Sequence, residues 1–415
     1  MTGIVHIIGA GLAGLSAAVR LSAGGAKVRV YEANAQAGGR CRSYHDRGLD
    51  LVIDNGNHLL LSGNRDARAF LRAIGADHEM VGPAQAEFPF IDLQSGERWT
   101  LRPNAGPLPW WIFSRARRVP GTTSSEYLSL ARFLLPVSDD DEIEEVLDCD
   151  GVLYDRMLRP VLLAALNVEP PEGSAALAAA VIRETLARGG RFCRPLIARN
   201  GLSAAFIDPA IAFIRTNGGD VQLESEVRQL VFEGDRLTAL AFGSRRVDLA
   251  PGDKAVLAVP PWIAGALVPG LKTPTEYRAI LNAHFKIAPP ASVPSLTGVV
   301  NGLVEWLFAF PDRLSVTVSN ADRLINLPRE DVAAQIWQEV AKIAGIAAPL
   351  PPWQIVRERR ATFVATVAQN AMRPQPRTGW SNLVLAGDWT ATGLPATIEG
   401  AIRSGHRAAA IVAGS

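Results

Sequence analysis

The sequence predicts an α/β fold that begins with a Rossmann-type domain. An apolar strand at residues 3–8 is followed at once by a glycine-rich loop at residues 9–14, and then by a helix with one apolar face. A second strand, Lys27–Tyr31, ends at the acidic Glu32, 18 residues after Gly14. Strand, G-x-G-x-x-G, helix, strand and acid thus come in the order that a dinucleotide-binding site requires.

The loop at residues 9–14 is predicted to hold a pyrophosphate. Gly9 permits the tight turn, Gly11 lets the backbone approach a phosphate because it has no Cβ atom, and Gly14 lets the helix pack closely on the strand. The helix N-terminus directs free N–H groups and partial positive charge at the phosphates. Glu32 is expected to accept a hydrogen bond from a ribose hydroxyl, which argues against NADP. The expected contacts at this end of the cofactor are Gly9, Gly11, Leu12, Ala13, Gly14 and Glu32.

The glycine motif alone does not separate NAD from FAD, and a second pair of glycines bears on that choice. Gly38 and Gly39 follow the second strand, where an extended FAD would continue past its pyrophosphate. Arg40 and Arg42 offer charge-assisted donors at the same place. We therefore predict FAD as the cofactor, with Gly39 and Arg40 as contacts. A solvated basic turn is the alternative.

The C-terminal residues predict a second cofactor-binding unit. Leu383–Ala386 is an apolar strand, and Gly387 and Asp388 lie just past its end, where ligands bind in parallel sheets. Pro395 suits the first turn of a helix whose apolar residues recur with helical period from Ile398 onward. The N-terminus of that helix would favour a reduced flavin anion. The expected contacts here are Gly387, Asp388, Ala396, Thr397 and Ile398. A plain strand and helix that close the core are the alternative.

Polar candidates for the reaction centre follow the apolar run Leu49–Ile53. Gly56 would let the backbone pass close to the flavin ring, with Asn57 beside it. His58 is a candidate proton donor or flavin contact, and His284 is a second candidate donor; a structural hydrogen bond is the alternative role for a single histidine. No metal is expected, because neither the six histidines nor the three cysteines have metal-ligand spacing.

The composition argues against several classes of protein. The 42 Lys and Arg residues nearly balance the 41 Asp and Glu residues, so no basic excess favours nucleic acid binding. Three cysteines predict reduced thiols in a cytoplasmic protein. No apolar stretch reaches the roughly 18 residues of a membrane-spanning helix, and we expect no targeting segment before the first strand.

The domain organisation is predicted to be discontinuous. The Rossmann-type FAD-binding domain would comprise residues 1–75, 196–265 and 380–415. An inserted α+β substrate domain would comprise residues 76–195 and 266–379. Each domain would therefore be assembled from segments that lie far apart in the chain.

One segment of the predicted substrate domain, residues 107–118, combines aromatic and basic side chains. Trp110, Trp111 and Phe113 precede Arg115, and two further arginines follow. Rings beside cations suit a membrane interface, so this segment is predicted to contact a membrane surface. Packing of the aromatic rings inside the substrate domain is the alternative.

Several blocks of the sequence resemble a known superfamily of flavoenzymes. Glu32, the run Gly38–Ser43 and the block Asn382–Trp389 resemble the FAD-dependent amine oxidases and carotenoid desaturases. Further blocks are similar to one branch, the squalene-associated flavoproteins of bacterial hopanoid synthesis, or hydroxysqualene dehydroxylases. These blocks are Asp54–Leu61, Leu162–Asn167, Arg360–Phe363 and Gly393–Ala401. The resemblance runs from Ile4 to about Ala410.

The resemblance implies a substrate and a reaction. It implies an FAD-dependent oxidoreductase with a glutathione-reductase-like Rossmann fold, in which hydride from N5 of the reduced flavin replaces the allylic hydroxyl of hydroxysqualene and gives squalene. A polyisoprenoid substrate favours peripheral contact with the cytoplasmic face of the inner membrane. Val227 would contact the adenine through its backbone. The electron donor stays open.

Other functions remain as alternatives at this point. A carotenoid or phytoene-type desaturase would use the same fold in the oxidative direction. A non-catalytic isoprenoid-binding protein, similar to Rab escort proteins, is a second alternative, although such proteins have lost flavin contacts that are present here. An amine oxidase is disfavoured, because the stretch Gly393–Thr397 lacks the aromatic residue that the family uses to enclose an amine.

Overall fold

The chain is built around a parallel sheet and a larger mixed sheet. The computed structural model describes residues 3–414. Its strands are β1 (Ile4–Ile8), β2 (Lys27–Tyr31), β3 (Ser43–Asp46), β4 (Leu51–Asp54), β5 (Leu60–Leu61), β6 (Met80–Val81), β7 (Phe88–Asp92), β8 (Arg98–Leu101), β9 (Pro195–Ala198), β10 (Asp220–Gln222), β11 (Gln229–Glu233), β12 (Arg236–Ala241), β13 (Arg246–Asp248), β14 (Lys254–Leu257), β15 (Tyr277–Phe285), β16 (Leu296–Val300), β17 (Trp306–Phe310), β18 (Arg313–Val318), β19 (Trp353–Phe363) and β20 (Leu383–Leu385). Its α-helices are α1 (Leu12–Ala23), α2 (Arg65–Ala73), α3 (Ile143–Val146), α4 (Gly151–Leu153), α5 (Arg159–Leu166), α6 (Ala175–Glu184), α7 (Asp208–Thr216), α8 (Pro261–Leu267), α9 (Arg329–Ala344), α10 (Val367–Ala371) and α11 (Ile398–Ala413).

The five-stranded sheet is wholly parallel, in the order β10-β2-β1-β14-β20. Residues of α1, α7 and α11 form one apolar cluster with one face of this sheet. Residues of β11 and β12 pack against the other face. This layered parallel sheet confirms the predicted Rossmann-type fold. Each of the three segments predicted for the cofactor domain contributes at least one strand, while the domain boundaries stay a prediction.

The seven-stranded sheet is mixed, in the order β19-β15-β18-β17-β16-β7-β8. Its pairs are antiparallel except for β16 with β7. The strand β15 alternates between two environments, as a strand with both faces covered must. Leu281 and Ala283 pack in the apolar cluster that includes α9, whereas Asn282 and His284 project to the opposite face. The polar side chains of β15 therefore lie on the face away from α9.

The first predicted elements are confirmed, and one prediction near the C-terminus is corrected. The apolar run predicted at residues 3–8 is β1, and Lys27–Tyr31 is β2. The last helix begins at Ile398 rather than at Pro395, because the Thr397 hydroxyl caps the helix by accepting a hydrogen bond from the Gly400 N–H. Within residues 3–414, no helix has the length and hydropathy that a membrane span requires.

Candidate active site

The loop between β1 and α1 forms an open cradle bounded by glycines. Gly9 adopts φ +103°, and a Cβ on Gly14 would lie 2.0 Å from the Gly9 carbonyl oxygen, so neither position accepts a side chain without movement. A Cβ on Gly11, in contrast, would meet no atom of the described residues within 4 Å. The Gly38 N–H donates to the Ala10 carbonyl at 2.8 Å, which fastens the second glycine pair beside the first loop. Space in front of Gly11 is the property that a close-approaching phosphate needs.

Glu32 lies directly behind this loop and is 6% exposed. One carboxylate oxygen accepts from the Ala10 N–H at 2.9 Å, and the other accepts from the Asn34 N–H and side-chain amide at 3.0 and 2.7 Å. A carboxylate has about four acceptor positions. Glu32 therefore holds the loop in place and retains capacity for one more donor, as a ribose hydroxyl would supply.

The segment that leads to Val227 is attached to the same place. The Ser225 N–H donates to the Glu32 carbonyl at 2.7 Å, and the Glu224 N–H donates to the Asn34 carbonyl at 3.0 Å. Val227 itself is buried just before β11. The predicted adenine contact thus lies near the predicted ribose contact, although they are far apart in sequence.

Arg40 and Asp388 are brought together from opposite ends of the chain. One guanidinium nitrogen of Arg40 lies 2.7 Å from both carboxylate oxygens of Asp388. A second arginine that sequence reasoning missed, Arg373, donates to the Asp388 carbonyl at 3.0 Å and to the Thr392 hydroxyl at 2.7 Å. Burial lowers the Arg373 pKa to about 10. Nothing in the sequence around Arg373 marks it, because its role depends on the fold of the 387–392 loop.

Helix α11 reaches the same region through Ser404 and Gly405 in its first half. Gly387 donates its N–H to the Ser404 hydroxyl at 2.8 Å, so the loop after β20 is bonded to the helix. A Cβ on Gly405 would lie 2.0 Å from the Ser16 hydroxyl and 2.2 Å from the Ala13 carbonyl of α1. The helices that begin at the two predicted cofactor ends therefore pack directly on each other.

The segment Gly56–His58 lies against strand β15. The Asn282 side-chain oxygen accepts from the Asn57 N–H at 3.2 Å, and Asn57 also donates its side-chain amide to the Val316 carbonyl at 3.1 Å. His58 Nδ1 lies 2.8 Å from the Gly56 carbonyl. A carbonyl only accepts, so Nδ1 carries the proton and Nε2 keeps its lone pair. Burial lowers the pKa of His58.

His284 also lies on the face of β15 that carries Asn282, in a drier environment. It is fully buried, with Nδ1 2.8 Å from the Ser315 hydroxyl. Its Nε2 has no hydrogen-bond partner among residues 3–414. Burial lowers its pKa to about 3, with a further contribution from the charge of Arg313. His284 is therefore neutral near pH 7.

Asn282 begins a row of side chains that crosses the mixed sheet on one face. Registered pairs run from Asn282 to Thr317, Trp306, Gly298, Phe90 and Trp99. The Phe90 ring stacks on Trp99 with centroids 5.5 Å apart and meets the edge of Trp306 at 5.7 Å. The row is thus polar beside Asn57 and aromatic further along the sheet.

The residues present fit FAD. The cradle before Gly11 is open, and the buried Asn57 Oδ1 has no hydrogen-bond partner among the described residues. Arg40 offers a cation beside Asp388, in the loop after β20. No group of three His, Cys, Asp or Glu side chains within residues 3–414 is arranged to hold a metal ion.

Comparisons with known proteins agree with this fit. Residues 12–413 match the family described as flavin containing amine oxidoreductase. The chain is 60% identical over 413 residues to the hydroxysqualene dehydroxylase of Rhodopseudomonas palustris, with 99% of each chain covered. It is 56% identical over 405 residues to that of Sinorhizobium fredii, covering 98% of this chain and 97% of the relative.

The solved structures give the same fold. Cyclohexylamine oxidase from Brevibacterium oxydans superimposes with a TM-score of 0.73 at 18% identity, with 99% of each chain covered. At that identity the likeness concerns the fold alone. The chain belongs to the flavin-containing amine oxidoreductase family, whose cofactor is FAD, and within it to the hydroxysqualene dehydroxylases.

Proposed function

We propose that this enzyme replaces the hydroxyl group of hydroxysqualene with hydrogen and so makes squalene for hopanoid synthesis. The observation that carries the proposal is the 60% identity, over 99% of both chains, to a relative that bears this activity as its name. The site adds a chemical reason. A polar segment beside the expected flavin position continues into an aromatic row, as a substrate with one hydroxyl on a long hydrocarbon chain requires.

The cofactor would lie between the N-termini of α1 and α11. Gly11 and the first N–H groups of α1 would receive the pyrophosphate, and Glu32 the ribose. Arg40 would supply positive charge to the phosphates, with Asp388 to orient it. When bound, reduced FAD supplies hydride, so that hydroxysqualene and FADH2 give squalene, FAD and water.

His58 is our candidate for the group that protonates the leaving hydroxyl. Its Nδ1 is held by the Gly56 carbonyl, which leaves Nε2 as the ring nitrogen that would take up and give the proton. Its lowered pKa makes the imidazolium a stronger acid than a free histidine, although a smaller fraction is protonated at neutral pH. His284 is the weaker candidate, because a pKa of about 3 leaves it without an imidazolium proton to give.

We propose that the isoprenoid chain lies against the aromatic row. Trp306, Phe90 and Trp99 belong to the same apolar cluster as Leu158 and Leu162 of the facing helical layer. Loss of water from the allylic alcohol leaves a delocalised cation, and aromatic faces attract cations. The same apolar surroundings exclude bulk water, which would otherwise capture that cation.

We also propose peripheral contact between residues 107–118 and a membrane. Trp110 and Phe113 are 66% and 65% exposed, whereas Trp111 is buried against Tyr127. The segment therefore both packs on its domain and presents apolar side chains outward, with the exposed Arg115 beside them. Further exposed apolar residues, in this segment and nearby in sequence, are Leu108, Leu128, Leu134 and Leu135. Exposed rings beside a cation suit an anionic lipid surface.

Anaerobic reoxidation of the reduced enzyme tests the proposed function. Protein reduced with one equivalent of dithionite should remain reduced until hydroxysqualene in detergent is added. Oxidised flavin absorbance should then return in step with squalene formed. Reoxidation without squalene, or no reoxidation, would contradict the assignment.

A further inference from the structure

Hydrogen bonds fix the orientation of the Asn282 side-chain amide beside Asn57. Asn282 is 1% exposed and lies on β15. Its Oδ1 accepts three hydrogen bonds, from the Asn57 N–H at 3.2 Å, the Asn57 side-chain amide at 3.3 Å and the Thr317 hydroxyl at 2.8 Å. A backbone N–H only donates, so the atom that faces it is the oxygen. The Asn282 Nδ2 must therefore point elsewhere.

The orientation of Asn57 is fixed in the same way. Its Nδ2 donates to the Val316 carbonyl at 3.1 Å, and a carbonyl only accepts. Its Oδ1 is consequently turned away, and this atom is buried with no partner among residues 3–414. The Asn282 Nδ2 donates to no described residue either, and it lies 3.3 Å from the place where a Cβ of Gly56 would be. The pair thus retains one donor and one acceptor.

A buried acceptor without a partner is unfavourable and calls for a ligand or water that completes it. A donor and an acceptor on neighbouring amides form the complement of an imide edge, which presents a carbonyl oxygen next to an N–H. The isoalloxazine ring has such an edge in its pyrimidine part. Gly56 has no side chain, and a Cβ at this position would lie 3.3 Å from the Asn282 Nδ2, so a larger residue would crowd that amide.

We propose that Asn282 is a positioning residue for the flavin. Together with Asn57 it would hydrogen-bond the imide edge of the ring, while the Thr317 hydroxyl holds the Asn282 side chain in place. This inference rests on the proposed FAD site. It extends that site from the cofactor-binding loops to the mixed sheet, so the strands that carry the aromatic row also set the position and the reduction potential of the ring. Asn282 and Thr317 had no signal in the sequence, because their pairing is made by strand register.

The test uses Asn282→Asp, which keeps the size and the accepting oxygen but replaces the free donor with a carboxylate oxygen. We expect FAD to bind at least tenfold more weakly, the visible flavin spectrum to shift, and the midpoint potential to become more negative, because added negative charge disfavours the reduced anion. Thr297→Val is the matched control. Thr297 is 1% exposed on β16 of the same sheet, one residue before Gly298 and hence on the opposite face, so its substitution should leave all three readouts unchanged.

A second variant keeps the test decisive if Asn282→Asp fails to fold. Thr317→Val removes the shortest bond to Asn282 and should weaken FAD binding about threefold. Wild-type affinity, spectrum and potential in whichever variant folds would overturn the inference. A wild-type protein that cannot bind FAD would overturn the FAD site together with this inference. A wild-type protein that binds FAD, with Asn282→Asp altered as expected, but does not consume hydroxysqualene would overturn only the proposed substrate.

Discussion

Two glycines of the first motif, Gly11 at the N-cap of α1 and Gly14 in its first turn, should respond differently to substitution by alanine. In Gly14→Ala, the new methyl group would lie 2.0 Å from the Gly9 carbonyl oxygen and 3.2 Å from the Ala258 Cβ. Such overpacking costs about 1–3 kcal/mol, against roughly 1 kcal/mol gained in helix propensity. Since the contact is with backbone, we expect the upper end of that range and a net loss of about 2 kcal/mol.

Gly11→Ala should leave the apoprotein intact and impair FAD binding. Gly11 has φ −74° and ψ 176°, which alanine adopts freely, and the methyl group would meet no described atom within 4 Å. The stability change should stay within about 0.5 kcal/mol, because a smaller unfolded-state entropy offsets a slightly poorer helix cap. The methyl group would instead occupy space needed by the phosphate, and a loss of about 1.4–2.7 kcal/mol corresponds to 10- to 100-fold weaker binding.

The assay is urea unfolding of both apoproteins by circular dichroism, together with FAD titration followed by flavin fluorescence. Gly14→Ala should unfold at lower urea, and Gly11→Ala should unfold as the wild type but bind FAD poorly. If Gly11→Ala bound FAD with wild-type affinity, the cradle would not be the phosphate site. If Gly14→Ala unfolded as the wild type, the close packing at this position would be incorrect.

Three further predictions concern the histidines and the exposed aromatic residues. The pKa of His284 is lowered from 6.5 to about 3, so the unfolded chain binds more protons than the folded chain between these pH values. The free energy of unfolding should therefore fall by about 2 kcal/mol between pH 7 and pH 5. Urea unfolding of His284→Asn should lack this contribution to the pH dependence of stability. If His58 is the acid, turnover by the wild type should decline as the pH rises through a pKa below 6.5. His58→Gln should turn over slowly, and its rate should no longer decline over this pH range. A pH–rate profile of His58→Gln that matches the wild type would exclude His58. Trp110→Ser with Phe113→Ser should lower co-sedimentation with anionic vesicles several-fold while FAD content is retained, and equal sedimentation would refute membrane contact through this segment.

Much of the cofactor-binding fold could be predicted because its determinants are local. The roles of Gly9, Gly11 and Gly14 follow from backbone geometry within one strand–turn–helix unit. The strand that precedes Asp388 and the helix after Thr397 were recognisable from apolar runs of the right period. The helix start was misjudged by three residues, because the capping hydroxyl of Thr397 decides it and Pro395 does not.

The rest of the site depends on contacts between distant segments. Asn282 and Thr317 meet because β15 pairs with β18 in one register, and a shift of β15 by one residue would turn Asn282 to the α9 face, away from Thr317. Arg373 reaches Asp388 and Thr392 only after β20 and its following loop are in place. Single side chains of this kind carry no pattern along the sequence, whereas glycine spacing does.

The most direct test of the proposed reaction is a single turnover in D2O. Enzyme with reduced, solvent-exchanged flavin is mixed anaerobically with hydroxysqualene, and the product is analysed by mass spectrometry and NMR. We expect one squalene per flavin oxidised, with one deuterium at the former carbinol carbon. Unchanged alcohol, a product with an additional double bond, or squalene without deuterium at that carbon would contradict it.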